Sequence, residues 1–300
     1  MNPADFEEKE YEAALYHQLE RGDPRIWAPG QVLEQYLGFD RALFLTDIYF
    51  WKLHGFHRPQ PGLSPFLEIW PYLPRTPSHR NRLPSFLLNL FVQAKRPFIG
   101  RRLARHLNAL GSHRPFFKFR VDDEQQKCLE ATANLLHDRA LVVYAAPVFG
   151  TSRELFGHTT SGTVVLNSTF PDIASLSGHS AWYYNQAGAT GVVNQGYEAV
   201  QLPPLSDRMN TLRSRVEIAA EANTPSTQLP SLAAALRSVI REAAGLAEPP
   251  RAAYLSQEWD RIAAFTEATD APPVVTAFLQ VDAFARFYNL LWLALGEGAV

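Results

Sequence analysis

Apolar and polar positions alternate with two different periods along this chain, and the period changes near residue 204. Before that point the strongest signals are strands. FLLNLFVQA, residues 86 to 94, is almost continuously apolar, as is ALVVYAAP, residues 140 to 147, and such runs predict strands buried on both faces. PFFKFRV, residues 115 to 121, alternates in the manner of a half-buried strand. Shorter strands are expected at Ala42 to Leu45, Thr163 to Leu166 and Gly191 to Val193. Helices are expected over residues 4 to 20, after Pro3 and Asp5, and over a short basic segment, residues 100 to 110. Another should run from a cap at Asp122 or Asp123 to about His137, with Leu129, Ala133 and Leu136 as its buried stripe. Beyond Pro203 and Pro204 the period becomes helical. Met209/Leu212/Val216, Leu232/Leu236/Val239, Leu255/Trp259/Ile262 and Phe278/Val281/Phe284 mark about four helices, punctuated by proline pairs 249–250 and 272–273.

This pattern divides the chain into residues 1–203 and a helical C-terminal region, 204–300. Two stretches interrupt the first part. Residues 47–85 read as an insertion that opens on the aromatic run DIYFWKLHGF and becomes too proline-rich for a regular ladder. Residues 148–203 form a polar extension rich in Gly, Ser, Thr and Asn. It holds His158, His179 and the triplet Trp182–Tyr183–Tyr184, whose rings either stack on bases or anchor a long loop to the core.

Composition narrows the class. With 46% hydrophobic and 19% charged residues, the chain has the make-up of a folded protein rather than a disordered one. Cys128 is its one cysteine, which excludes a disulfide framework or a cysteine zinc cluster and makes a reducing, cytoplasmic setting the expectation. The acidic start, MNPADFEEKEYE, lacks the apolar core of a secretory signal, and the late apolar run Leu290 to Leu295 is too short to span a bilayer, so no membrane association is expected.

Net charge is only −2, but its distribution is uneven. From Ile69 to Val121 there is no Asp or Glu, against eleven cations: Arg75, Arg80, Arg82, Lys95, Arg96, Arg101, Arg102, Arg105, Arg114, Lys118 and Arg120. A block of this kind is the footprint expected of a polyanion partner, with Arg96, Arg101, Arg102 and Arg105 as phosphate contacts. Gln125, at the start of the next helix, is a further contact candidate. The helical region has mixed charge and no such stripe, so it reads as a scaffold, or as a surface for a protein partner or a second copy of the chain.

The candidate chemistry lies inside the basic block. Residues two apart on a strand share a face, so Gln93 and Lys95 point the same way, and a cation at the end of a buried strand needs an anionic partner. Upstream, Gly38 breaks the chain and Asp40 opens the strand Ala42 to Leu45, with Glu34 six residues earlier. Pairing that strand with the lysine strand would bring Asp40 beside Gln93 and Lys95, giving an oxygen-rich pocket suited to a hard divalent ion. Glu12, on the first helix, is a second candidate for the glutamate.

A glutamate, a GxD opening a strand, an intervening segment and an apolar strand ending in QxK resemble the PD-(D/E)XK nuclease superfamily over roughly residues 1 to 147. The resemblance implies an α/β (α+β) protein with a restriction-endonuclease-like αβββαβ core and a mixed sheet, completed by residues 47 to 53 or 115 to 121. It casts Glu34, Asp40 and Gln93 as ligands of Mg²⁺ (or Mn²⁺), and Lys95 as the lysine that assists the attacking water. Gln93 stands where the superfamily usually has an acid, leaving less charge on the metal. The implied activity is hydrolysis of phosphodiester bonds, with DNA as the expected substrate, in prokaryotic defence or DNA processing. The rival readings are a non-catalytic nucleic-acid-binding module on the same fold, and an assembly component recruited through residues 204–300.

Overall fold

A computed structural model of the 300-residue chain describes residues 1–19, 26–27, 42–43, 86–100, 105–111, 115–137, 139–188, 190–194, 196–218, 225–246, 249–268, 270–271 and 273–296. Among the described residues it is a mixed α/β structure with seven α-helices and two principal sheets. The first sheet has four strands in the order β12-β4-β7-β8, formed by Leu291–Gly296, Phe86–Ala94, Ala140–Pro147 and Ser168–Thr169. Strands β4 and β7 are parallel and β12 is antiparallel to β4, so this sheet is mixed. The second sheet is antiparallel throughout: β1 (Asn2–Pro3), β5 (Phe98–Gly100), β6 (Phe116–Arg120), β9 (Ala181–Tyr184), β10 (Thr190–Val193) and β11 (Ala199–Gln201).

The helices are α1 (Glu8–Leu19), α2 (Asp123–Leu135), α3 (Ser152–Thr160), α4 (Leu205–Ile218), α5 (Pro225–Leu246), α6 (Pro249–Ala268) and α7 (Pro273–Phe287). Proline opens α5, α6 and α7, where its missing N–H costs nothing because the first turn has no acceptor for it. Asp122 caps α2 by accepting a hydrogen bond from the Gln125 N–H at 2.9 Å. The connection between the parallel strands β4 and β7 runs through β5 and β6 of the second sheet and then α2.

Alternation along β4 sorts its residues onto two faces. Leu90, Val92 and Ala94 pack with Tyr11 and Leu15 of α1 and with Met209 and Leu212 of α4. Phe91 faces the other way, into a larger core built from α2, α5, α6 and α7 and from Phe117, Phe119, Trp182 and Tyr184 of the second sheet. That core runs across residue 204, joining the strand-rich part to the C-terminal helices.

Four expectations change. Residues 115–121 do not complete the sheet of the lysine strand, because β6 pairs with β5 and β9 in the second sheet. Ala42–Leu43 (β3) pairs with Ile26–Trp27 (β2) rather than with β4, whose two edges are taken by β12 and β7. Residues 163–166 do not form a strand: a 3₁₀ turn, Val165–Asn167, follows α3 and leads into β8. The C-terminal region is not wholly helical, because Asn289 takes a left-handed conformation (φ 53°) after α7 and turns the chain into β12. The Trp292 indole N–H on β12 donates to the Asn89 side-chain oxygen on β4 at 3.0 Å. The insertion, residues 47–85, lies outside the described residues. Among the described residues no helix is long and apolar enough to cross a membrane.

Candidate functional site

The end of β4 is where the predicted residues can be followed. Strand pairing continues one residue past the apolar run, since the Lys95 N–H donates to the Ala145 carbonyl at 2.8 Å. This holds Lys95 on the same face as Gln93, beside the first turn of α2. Lys95 Nζ donates to Gln125 Oε1 at 2.6 Å and lies 5.6 Å from the centre of the Tyr144 ring. Gln125 Nε2 in turn donates to Gln93 Oε1 at 2.7 Å and to the Tyr288 carbonyl, at the end of α7, at 3.1 Å. Gln93 Nε2 donates to the Ala94 carbonyl at 3.1 Å.

The ammonium group dictates the polarity of this chain of bonds. Lysine has only donors, so Gln125 must present its oxygen to Lys95 and its nitrogen to Gln93, which then offers an oxygen in return. A second relay starts one residue along α2. The Tyr144 hydroxyl donates to Gln126 Oε1 at 2.7 Å, and Gln126 Nε2 donates to Glu130 and to the Ile173 carbonyl at 2.8 and 2.9 Å. Burial pushes the Tyr144 hydroxyl well above the ordinary tyrosine pKa, so it acts there as a neutral donor.

Burial likewise lowers the pKa of Lys95, because desolvation disfavours its charged form; the negative charges of Glu8 and Asp122 act against this. Neither carboxylate was expected at the site from the sequence. Glu8 Oε2 accepts the Arg96 backbone N–H at 3.2 Å, which fixes α1 to the end of the lysine strand. Glu12, the candidate one turn later, is buried with Oε2 3.5 Å from Lys9 Nζ, on the helix that covers the opposite face of β4. The Arg96 guanidinium is occupied by the Ala4 carbonyl, Nε donating at 3.1 Å and a terminal nitrogen donating to the same oxygen.

The structure therefore brings Gln93, Lys95 and Gln125 together and places Arg96 beside them. Glu34, Asp40, Arg101 and Arg102 lie outside the described residues, as does the side chain of Arg105, whose backbone opens the 3₁₀ turn Arg105–Leu110. Of the aromatic triplet, Trp182 and Tyr184 are fully buried on the inner face of the second sheet, as core anchors, while Tyr183 is on its outer face.

An amide oxygen is the hard type of donor that Mg²⁺ or Mn²⁺ accepts, and Gln93 Oε1 has a second lone pair beyond the one Gln125 engages. The negative charge such an ion needs would have to come largely from Glu34 and Asp40. Among the described residues no group of three or more His, Cys, Asp and Glu side chains converges on a point. The chain matches none of the protein-family models, curated proteins or solved structures with which it was compared.

Proposed function

We propose that the chain is a divalent-metal-dependent nuclease that hydrolyses phosphodiester bonds, with DNA as its substrate. The observation that carries this reading is the setting of Lys95. It is a half-buried ammonium at the carboxyl end of two parallel strands, where open α/β sheets take their ligands, and the side chain that holds it is a neutral amide rather than a carboxylate. A cation so placed keeps an unsatisfied attraction for a phosphate. The parallel pair β4 and β7, with α2 before β7, is the part of the restriction-endonuclease-like core that supports this reading; β5 and β6, which lie between β4 and α2, belong to the second sheet.

In this reading Lys95 stabilises the charge that builds on the phosphoryl oxygens or orients the attacking water, and Gln125 positions it. Glu34, Asp40 and Gln93 would hold Mg²⁺ or Mn²⁺, which when bound acidifies a water and neutralises phosphate charge. A cytoplasmic role in DNA processing or prokaryotic defence belongs to the same proposal. The second reading, a binding module that does not cut, is favoured by the hydrogen bond between Gln93 and Gln125, because an oxygen engaged by an amide N–H is a weaker metal ligand than a free carboxylate.

Cleavage of labelled single- and double-stranded DNA, with Mg²⁺ or Mn²⁺, combined with metal titration by calorimetry separates the two. Asp40→Ala is expected to weaken metal binding and to slow cleavage about a hundredfold or more, while Gln93→Glu preserves or tightens metal binding. If the wild type cuts no nucleic acid with either metal and Gln93→Glu gains no activity, the nuclease reading is wrong and the binding module stands.

A further inference from the structure

We propose that the outer face of the second sheet, centred on Lys118 and Arg120, is a phosphate-binding track for single-stranded nucleic acid. This rests on the nucleic-acid reading of the Lys95 site and gives that reading a separate binding surface. Alternation along β6 turns Phe117 and Phe119 into the core and leaves Lys118 half-buried and Arg120 exposed on the far side. Lys118 sits directly opposite Phe98 on β5 and Tyr183 on β9, so the three form one row across three strands.

Rings hold both cations in place. Lys118 Nζ lies 5.1 Å from the centre of the Tyr183 ring, and the Arg120 guanidinium lies 5.3 Å from that of Phe98. Among the described residues neither cation forms an ion pair. Their charge is thus fixed in position but not neutralised, which favours an anion arriving from solution. The two residues are two positions apart on one strand, a separation of about 7 Å that is comparable with the spacing of neighbouring phosphates along a nucleic-acid strand. At one end this face is covered: the Phe116 ring lies over Gly100, where a Cβ would meet it at 2.2 Å, and packs with Tyr183, Leu107 and Leu110, which leaves Lys118 and Arg120 at the open end. The half-buried ring of Phe98 lies in this row for a base to pack on, and the half-buried Tyr197 ring, in the β10–β11 loop, packs 6.1 Å from that of Tyr183.

The track and the candidate site lie on opposite sides of the second sheet, since Lys95 rests on Tyr144, which packs against Phe119 of the inner face, and the chain between them is short. Phe98 follows Lys95 by three residues, and the intervening Arg96 is held by the Ala4 carbonyl. Lys95, Arg96, Lys118 and Arg120 each rest on a neutral partner: an amide, a carbonyl and two aromatic rings. A sheet face bearing cations along one strand follows a single flexible backbone, which is why a single strand is favoured over a duplex.

The test is the fluorescence anisotropy of a labelled oligothymidylate over a salt series, in EDTA without divalent ions, so that it bears on binding and not on hydrolysis. Lys118→Met combined with Arg120→Met removes both charges while keeping apolar stems against Tyr183 and Phe98. It is expected to weaken binding about tenfold at low salt and to reduce the salt slope by about 1.4, near 0.7 for each phosphate no longer neutralised. Arg237→Gln, whose guanidinium already meets Asp260, should leave both unchanged. Should the double variant melt early, the single variants Lys118→Gln and Arg120→Gln are each expected to show half of the slope change. Wild-type affinity and slope in the charge-removed variants would overturn the track, as would a loss confined to duplex DNA or to polyglutamate. A protein that binds the oligonucleotide through Lys118 and Arg120 yet cuts nothing retains the track and loses the nuclease.

Discussion

The two parts of the chain handle their cations differently. In the C-terminal helices Arg237 meets Asp260, Arg261 meets Glu258 and Arg286 meets Asp282, so these charges are largely cancelled within the protein. In the stretch from Lys95 to Arg120, the described cations rest on an amide, a carbonyl and two rings instead. Exposed ion pairs add little stability, so the helical region gains mainly solubility from its charges. Lys118 and Arg120, seated over rings with no ion pair among the described residues, gain little for the fold, and in the proposed reading their use lies in what they attract; Lys95 differs in that Glu8 and Asp122 favour its charged form. In the same reading, polyanion binding falls to the first region and support to the second.

Support here means a shared core, and its loss is the largest effect expected. Leu236 of α5 is fully buried in the cluster that also holds Phe91 and Phe117. Leu236→Ala should cost about 2–5 kcal/mol, and fluorescence and circular-dichroism melts should still coincide in one transition. Separate melting of the helices would break the comparison, by making the two parts independent.

A smaller effect sharpens it from the other side. Gln125→Leu removes the amide that positions Lys95 and should lower kcat about tenfold with KM little changed. It should also shift the pH profile. Burial holds the Lys95 pKa below its ordinary value of 10.5, so the ammonium form, and with it activity, is lost as pH rises through that lowered value. Gln125→Leu should move this alkaline limb further down, whereas Gln125→Glu, which sets a carboxylate against the ammonium, should move it up. Limbs that coincide in all three proteins would leave Gln125 with a purely structural part.

The legible parts of the fold were those written in local pattern. The apolar runs at β4 and β7 and the Asp122 cap of α2 each announce an element within a few residues, and each is found where expected. Strand β12 was hidden because LLWLALG carries the leucine and alanine content of the helices before it. Only pairing with β4, some 200 residues earlier in the chain, makes it a strand. Helix α3 was masked by its Ser, Thr and Gly content, although its capping box, Thr151 with Glu154, was a readable signal.

The candidate site divides in the same way. The two-residue period placed Gln93 and Lys95 on one face, and the position of Gln125 at the start of α2 made it a contact candidate. Nothing local marks Glu8 or the Tyr288 carbonyl, which reach the site through the packing of α1 and α7. The pairing expected for Asp40's strand failed for a related reason, since the lysine strand was already flanked by partners distant in sequence.

Lys95 tests the central claim most directly, because it belongs both to the cations held by neutral partners and to the proposed chemistry. Divalent-ion-dependent cleavage of labelled DNA and anisotropy of the same DNA without divalent ions should be measured side by side for the wild type and Lys95→Ala. Cleavage is expected to fall about a hundredfold or more, with binding reduced only a few-fold because Lys118, Arg120 and the rest of the basic block remain. Undiminished cleavage in Lys95→Ala would contradict the assignment of the site.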